Sequence, residues 1–385
     1  MIYLDNNAST RLDPKAWSVM AETASVHGNP SSVHAEGQKA RRTVEEARAE
    51  VARLVGGRPE EILLTSGGTE SNVLAVLGST AGRRGRVVLS GAEHPSVREA
   101  VARLSDGGGF EVVKVDPEPG GALEPGRVLE AVTPGTVLVS VMAANNEYGA
   151  VYPVAALARE VRRRGSLFHT DAVQAAGRIP VDAALWEVDL LSVSAHKMHG
   201  PKGAGALFVR RGVALSPHTP GGGQEKRLRA GTENTLAIAG FGAAARLAVE
   251  RLAGEAPAIA GRRDRLERGI LERISDARVL GASVPRLPNT SAVLFAGASG
   301  EALLIRLDLE GVAVSVGSAC SSGTLAPSPA LLALRLSREE AKSVVRFSLS
   351  RETTDEEIAR VLEILPGIVR EVRDAAVPAC AGRAS

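Results

Sequence analysis

Leu190-Leu191-Ser192-Val193-Ser194-Ala195-His196-Lys197-Met198-His199-Gly200 decides how this chain is read. Its opening is a short apolar run of strand length, and Pro201-Lys202-Gly203 closes it as a turn. Lys197 therefore stands just past the end of a buried strand, between two histidines. The chain has seven lysines against thirty-nine arginines, so a lysine here is not background. Taken alone, a strand-end lysine is more often a solvated residue. A strand-end amine in a polar pocket is also what an enzyme needs to hold an aldehyde cofactor as a Schiff base.

Outward from this stretch, residues 60 to 210 alternate apolar runs with helical patterns. Ile62-Leu63-Leu64 leads into a helix at 70–76, and the strand 86–90 into a helix at 95–104. Further strands are expected at 110–115, 137–142, 166–169, 190–194 and 206–210, with a helix at 155–164. Apolar strands alternating with helices predict an α/β fold with a mostly parallel sheet flanked by helices. Val33, Ala40, Val44, Ala47, Val51 and Leu54 recur at helical spacing, predicting one long amphipathic helix that ends at Gly56-Gly57. Thr219 to Gly223 reads as a loop, and an apolar helix to about residue 255 closes the larger unit. The remainder reads as a smaller α+β unit with strands at 292–295, 312–316 and 344–349. Its last helix opens with the capping box Thr354-x-x-Glu357.

Composition bounds the function. With 385 residues, 44% apolar and 23% charged, the chain reads as an ordinary globular protein able to bury a large core and a smaller one. A net charge of +2 offers no basic field for nucleic acid, and arginines such as those in 261–265 read as solvated helix faces. No apolar run approaches a membrane span, and the first seven residues have no signal-peptide pattern, so a cytoplasmic location is expected. Cys320 and Cys380 suggest neither a disulfide framework nor a zinc site, and no metal is expected.

In open parallel α/β sheets, ligands bind outside the carboxyl ends of the strands. Several expected strands stop there at residues with chemical capability. Thr65-Ser66-Gly67-Gly68-Thr69-Glu70 is a glycine turn opening a helix, and the N–H groups near Gly68 with the Thr69 hydroxyl would suit a phosphate. It is neither a P-loop nor a dinucleotide fingerprint. The other ends carry Glu93-His94, Asn145-Asn146-Glu147, Asp171 with Gln174, and Ser194 with His196 and Lys197. A lone His94 or Asp171 would most often be a cap. Together these residues match what pyridoxal phosphate needs: a lysine, a carboxylate for the ring nitrogen and a phosphate site. Separately, Cys320 sits in Gly317-Ser318-Ala319-Cys320-Ser321-Ser322-Gly323, too small and polar to be a core segment. An exposed loop is the setting of a nucleophilic thiolate, or of an incidental cysteine.

The residues resemble the pyridoxal-phosphate cysteine desulfurases of the class V aminotransferase group, from Tyr3-Leu4-Asp5-Asn6-Asn7-Ala8 to Thr353-Thr354-Asp355-Glu356-Glu357. The specific pieces are Ser194-Ala195-His196-Lys197, Arg229-Ala230-Gly231-Thr232-Glu233-Asn234, Gly317-Ser318-Ala319-Cys320 and Val345-Arg346-Phe347-Ser348-Leu349. The resemblance implies a homodimeric fold-type I pyridoxal-phosphate transferase. It divides the chain into a large cofactor-binding domain, 14–255, and a small domain, 1–13 with 256–385, carrying the Cys320 loop and Arg346. It implies that Lys197 is the Schiff-base lysine and that His94 stacks on the ring and helps with proton transfer. Asp171 would pair with the ring nitrogen and Gln174 with the ring hydroxyl. Gly68, Thr69, Ser194 and His196 would hold the phosphate, with Thr232 reaching it from the partner subunit. Asn145 and Arg346 would hold the substrate carboxylate with Asn7 beside them in the substrate site, and Cys320 would receive sulfur from L-cysteine for a sulfur-acceptor protein, as in iron–sulfur cluster assembly.

Two positions depart from the family pattern: Ser350 stands where glycine is common, and Tyr148 is an unusual choice after Asn-Asn-Glu. Local packing differences are expected there. The competing readings are another enzyme of the same fold, such as an aminotransferase or a selenocysteine lyase, and a catalytically idle scaffold of a sulfur pathway. An aminotransferase has no need of Cys320, and a scaffold has no need of Lys197, Asp171 and His94.

Overall fold

The computed structural model of the protein describes residues 1–317 and 327–376. Its strands in chain order are β1 (Ile2–Tyr3), β2 (Ile62–Thr65), β3 (Gly85–Ser90), β4 (Phe110–Val115), β5 (Thr136–Ser140), β6 (Leu167–Asp171) and β7 (Leu190–Ser194). They continue with β8 (Gly205–Val209), β9 (Ala277–Val279), β10 (Thr290–Phe295), β11 (Val312–Ala313), β12 (Ser315–Val316) and β13 (Val344–Ser348). The helices are α1 (Pro14–Thr23), α2 (Ala35–Leu54), α3 (Gly68–Thr80), α4 (Pro95–Asp106), α5 (Pro125–Ala131) and α6 (Val154–Arg163). After them come α7 (Ala183–Trp186), α8 (Thr235–Arg273), α9 (Gly300–Leu309), α10 (Pro329–Ala333), α11 (Arg338–Lys342) and α12 (Asp355–Ala376).

The main sheet has the order β2-β8-β7-β6-β5-β3-β4. From β7 to β4 all neighbours are parallel, while β8 runs antiparallel between β2 and β7. Every residue of β2, β5 and β7 is buried, the outcome that continuous apolar runs anticipate when both sheet faces are covered. Because β2 and β7 both oppose β8, the carboxyl ends of β2, β3, β5, β6 and β7 share one edge. The expected α/β fold and mostly parallel sheet are thus what the chain adopts.

The long helix α2 differs at its start. It begins at Ala35, capped by His34, whose Nδ1 accepts from Gly37 N–H at 3.3 Å. Val33 lies before the cap and is 90% exposed, so it is not part of the buried stripe. The helix ends as expected: Gly56 adopts φ +64°, and Gly57 N–H returns to the Ala52 carbonyl at 2.9 Å. The stripe packs on α8 so closely that a Cβ on Gly242 would lie 2.6 Å from Ala47 Cα.

A second core gathers Leu4, Leu266, Ile270, Phe295, Phe347 and Leu365 around the sheet β12-β13-β10-β9. Two expectations change here. The single strand 312–316 is two short ones: Val312 and Ala313 pair with β1, whereas Ser315 and Val316 pair with β13. The helix expected to stop near residue 255 runs on to Arg273, with Pro257 inside it. One face of α8 serves the first core at Ala237, Ile238, Phe241 and Ala245, and Leu266 and Ile270 serve the second, so tertiary burial carries the helix past its proline. The capping box at α12 forms as read: Thr354 N–H donates to Glu357 Oε2 at 2.9 Å and Glu357 N–H to Thr354 Oγ1 at 3.2 Å.

Not every arginine is a solvated one. Arg263 reaches the Leu287 carbonyl with its side chain 11% exposed. Arg48 is buried in α2 and makes two bonds of 2.6 and 2.8 Å to Glu225, which also accepts from Leu64 N–H at 2.8 Å. This pair fastens the loop of 219–234 to the start of the main sheet. Replacing Arg48 by leucine leaves the Glu225 carboxylate buried without its countercharge, a loss of about 3–5 kcal/mol. Denaturant unfolding of Arg48→Leu beside wild type measures it.

Candidate active site

Each functional side chain at the shared edge is delivered by a strand end or by the helix that follows it. β2 ends at Thr65, and α3 starts at Gly67-Gly68 without a side-chain cap. The turn passes so close to β8 that a Cβ on Gly205 would lie 2.5 Å from Gly67 Cα. Ser194, the last residue of β7, faces this turn: its Oγ is the nearest atom to a Cβ built on Gly67, at 3.8 Å. That hydroxyl is buried with no hydrogen-bond partner among the described residues. Glu70 holds the turn from behind, accepting from Ser66 N–H at 2.6 Å and from Arg229 at 2.9 Å. Thr69 and Thr232 are exposed.

Lys197 follows β7 on a single 3₁₀ turn, Ala195–Lys197. Its Nζ donates to the carbonyls of Asn7 at 2.5 Å and Ala8 at 2.9 Å. Beside it, His196 Nδ1 meets Ser9 Oγ at 3.3 Å, and burial, with Lys197, Lys202 and Arg178 adding, pushes this imidazole down to about 4. It is neutral at pH 7.

Asp171 ends β6, buried, and accepts from Val173 N–H at 2.9 Å and Asn72 Nδ2 at 2.7 Å. His94 caps α4, its Nδ1 accepting from Ser96 N–H at 3.1 Å. Burial lowers its pKa, with Lys197 and Arg98 adding and Asp171 opposing. His94 is thus both a cap and a neighbour of Asp171 and Lys197.

Gln174 is buried: its Nε2 donates to the Asn7 carbonyl at 3.0 Å and its Oε1 accepts from Arg178. Asn7 also donates to the Asn146 carbonyl and Thr290 Oγ1 at 3.0 and 2.9 Å. Asn145 is fully buried and builds its own turn, its Oδ1 accepting from Glu147 and Tyr148 N–H while its Nδ2 holds the Ala92 carbonyl. Arg346 donates to the Asn146 carbonyl at 3.0 Å and to Asp5 at 2.7 Å, and its Nε is buried without a partner among the described residues. Cys320 and Cys380 lie outside the described residues. The two stems of the segment 318–326 meet at Glu147: Ser328 Oγ donates to its Oε1 at 2.7 Å, and a Cβ on Gly317 would lie 2.9 Å from its Oε2.

A family model described as aminotransferase class-V matches residues 2–361. The chain belongs to the class-V aminotransferase family. A protein named cysteine desulfurase from Gluconacetobacter diazotrophicus is 45% identical over 377 residues, covering 97% of this chain and 94% of that one. A solved structure named NifS-like protein has a TM-score of 0.89 and 35% identity, covering 96% of this chain and 99% of that one. A structure described as SspA in complex with cysteine has a TM-score of 0.81 and 33% identity, covering 92% and 100%.

Class-V aminotransferases are pyridoxal-phosphate enzymes, and the residues here fit that cofactor. The orphaned Ser194 hydroxyl beside an uncapped helix N-terminus suits a phosphate. A buried carboxylate and an amine stand on the neighbouring strand ends. Tyr148 and Ser350, the two departures from pattern, are absorbed locally: Tyr148 bonds Tyr152 Oη at 2.6 Å, and Ser350 N–H bonds Thr353 Oγ1 at 3.0 Å.

Sequence reading missed Asn72, Ser96 and Arg178, and it placed Glu93 at a strand end without giving it a role. Asn72 had a visible signal, being a polar residue in an apolar helix one turn after Gly68. Arg178 is buried, donating to the carbonyls of Asn6, Gln174 and Lys197 at 3.0, 3.3 and 3.4 Å, and burial lowers its pKa to about 9. Glu93 ties β3 to β5: its Oε1 accepts from Ser90 Oγ at 2.6 Å and Met142 N–H at 2.7 Å, while its Oε2 is buried without a partner among the described residues. Burial pushes this carboxyl up to about 8.

Between pH 4.5 and about 8 the folded protein therefore keeps a proton on Glu93 that the unfolded chain has lost, so this residue lowers stability as pH rises through that window. Glu93→Gln removes the dependence. Its melting temperature relative to wild type is expected to rise from pH 5 to pH 8, measured by thermal denaturation at each pH.

Proposed function

We propose that this protein is a cysteine desulfurase, taking sulfur from L-cysteine, releasing L-alanine and leaving a persulfide on Cys320. One observation carries the reading. The uncapped helix with the unpartnered Ser194 hydroxyl, the buried Asp171 and the Lys197 amine share the sheet edge of a chain matched over 97% of its length by a protein named cysteine desulfurase.

Bound here, pyridoxal phosphate supplies an aldehyde for the substrate amine and a protonated ring that withdraws electrons from the substrate carbons. Gly68, Thr69, Ser194 and the neutral His196 hold its phosphate. Asp171 meets its ring nitrogen, Gln174 its hydroxyl and His94 its face. Lys197 Nζ, held between the Asn7 and Ala8 carbonyls, moves protons at the substrate carbons. Arg346 offers the substrate carboxylate a planar fork that lysine could not copy, with Asn7 and Asn145 shaping the turn beside it. The Cys320 thiolate attacks the substrate sulfur: an S–S bond forms, the C–S bond breaks, and the carbon takes up a proton to give alanine. Sulfur is oxidised and carbon reduced, so no outside oxidant is needed.

The chain divides its labour between two domains. Residues 14–255 form the cofactor-binding domain; 1–13 and 256–385 form the small one that brings Arg346 and Cys320. The protein acts as a homodimer in which Thr232, exposed here, reaches the partner's phosphate site, and it hands sulfur to an acceptor protein such as an iron–sulfur cluster scaffold. No helix among the described residues is long and apolar enough to cross a membrane, and a cytoplasmic site of action suits this role.

Alanine formed from L-cysteine under a thiol reductant tests the reading. Wild type is expected to form it, whereas Cys320→Ala forms none and Lys197→Ala falls by about 10²–10⁴-fold. Equal alanine from wild type and Cys320→Ala would sink the assignment of the sulfur acceptor, and none from wild type would sink the activity.

A further inference from the structure

Asn72 joins two site residues that sequence reading treats separately. It lies in α3, 1% exposed, and its Nδ2 donates 2.7 Å to Asp171 Oδ2 and 2.9 Å to Ser96 Oγ. The Asp171 carboxylate decides which end of the amide is which, since the reverse orientation would set Oδ1 against it. Oδ1 is left buried without a partner among the described residues, so Asn72 serves here as a donor only.

Ser96 carries the bond onward. Its Oγ lies 2.8 Å from His94 Nδ1, and its N–H donates to the same nitrogen at 3.1 Å. A backbone N–H can only donate, so this 3.1 Å contact disfavours a proton on Nδ1 and leaves the shorter Ser96 Oγ bond to settle the tautomer. Ser96 Oγ, already receiving from Asn72, turns its own proton to Nδ1. The neutral ring therefore keeps its proton on Nε2. An imidazolium is opposed by the Ser96 N–H and by the positive end of α4.

We propose that Asn72 is a positioning residue that, through Ser96, sets His94 as a neutral imidazole protonated on Nε2 while orienting the Asp171 carboxylate. The inference rests on the reading of His94 and Asp171 as the residues at the cofactor ring. It adds a direction: Nε2 can give a proton and cannot take one until that proton has left, so His94 enters the reaction as a donor.

Nitrogen–proton multiple-bond correlation spectra of the full-length, ¹⁵N-labelled apoprotein read the tautomer directly, with His94→Gln identifying the signals. The wild type is expected to show an unprotonated Nδ1 and a protonated Nε2. Asn72→Leu and Ser96→Ala are both expected to give mixed tautomers and a His94 titration shifted to higher pH. A protonated Nδ1 in the wild type overturns the proposal, as do nitrogen shifts that stay unchanged in both variants. If Asn72→Leu does not fold, Ser96→Ala decides alone, because it removes one hydroxyl and leaves the Asn72–Asp171 bond. The spectra need neither cofactor nor cysteine, so a failed alanine assay would strike the proposed activity and not this relay.

Discussion

Burial of the main sheet on both faces is the constraint from which the site follows. Strands such as β2, β5 and β7 have no solvent-facing side, so a polar group inside them must be partnered or be costly. Chemistry is confined to the ends, where the backbone leaves the ladder. There the antiparallel β8 matters, because it lets β2 run in the same sense as β7 and brings the Gly67-Gly68 turn beside Ser194. The N-terminal segment then crosses this edge, and its Asn7 carbonyl receives both Lys197 and Gln174.

Charges buried at the edge are handled in different ways. Asp171 keeps two donors, Asn72 and Val173 N–H. Arg346 has Asp5 beside it, and Arg48 has Glu225. Among the described residues Glu93 has two donors on one oxygen and none on the other, so burial wins and the carboxyl holds its proton. Arg178 meets only carbonyl oxygens among the described residues, so burial, with the Arg346 charge adding, lowers its pKa unopposed by any carboxylate. Arg178, Gln174 and the Asn7 carbonyl make the surroundings of Lys197 a polar network whose members depend on one another for satisfaction.

Helix ends supply much of the site. α3 lacks a side-chain cap where an anion would sit, whereas α4 is capped by the very imidazole placed near Asp171 and Lys197. At His94 the cap and the proposed reactive group are the same residue, so the two readings of that histidine do not exclude one another. The hydrogen bonds of the cap also determine which nitrogen of the ring is available.

Local pattern sufficed wherever neighbours in sequence are neighbours in space. The apolar runs marked β2 to β8, the glycine turn marked the start of α3, and Thr354 with Glu357 marked α12, because period, turn chemistry and capping are short-range effects. The strand-end position of Lys197 was legible for the same reason. Other features were decided only when distant segments met. The run 312–316 divides because β1 and β13 compete for its two halves, and α8 outlasts its expected end because a second core covers it. Asn72 gained its place from Asp171, ninety-nine residues away, and Arg48 from Glu225, one hundred and seventy-seven away. No local rule sees such a pair. The sequence by itself determined the sheet, the family and the chemical groups on offer; tertiary structure decided which of those groups are partnered, and so which are charged and which nitrogen holds a proton, because desolvation and hydrogen bonding act through space and not along the chain.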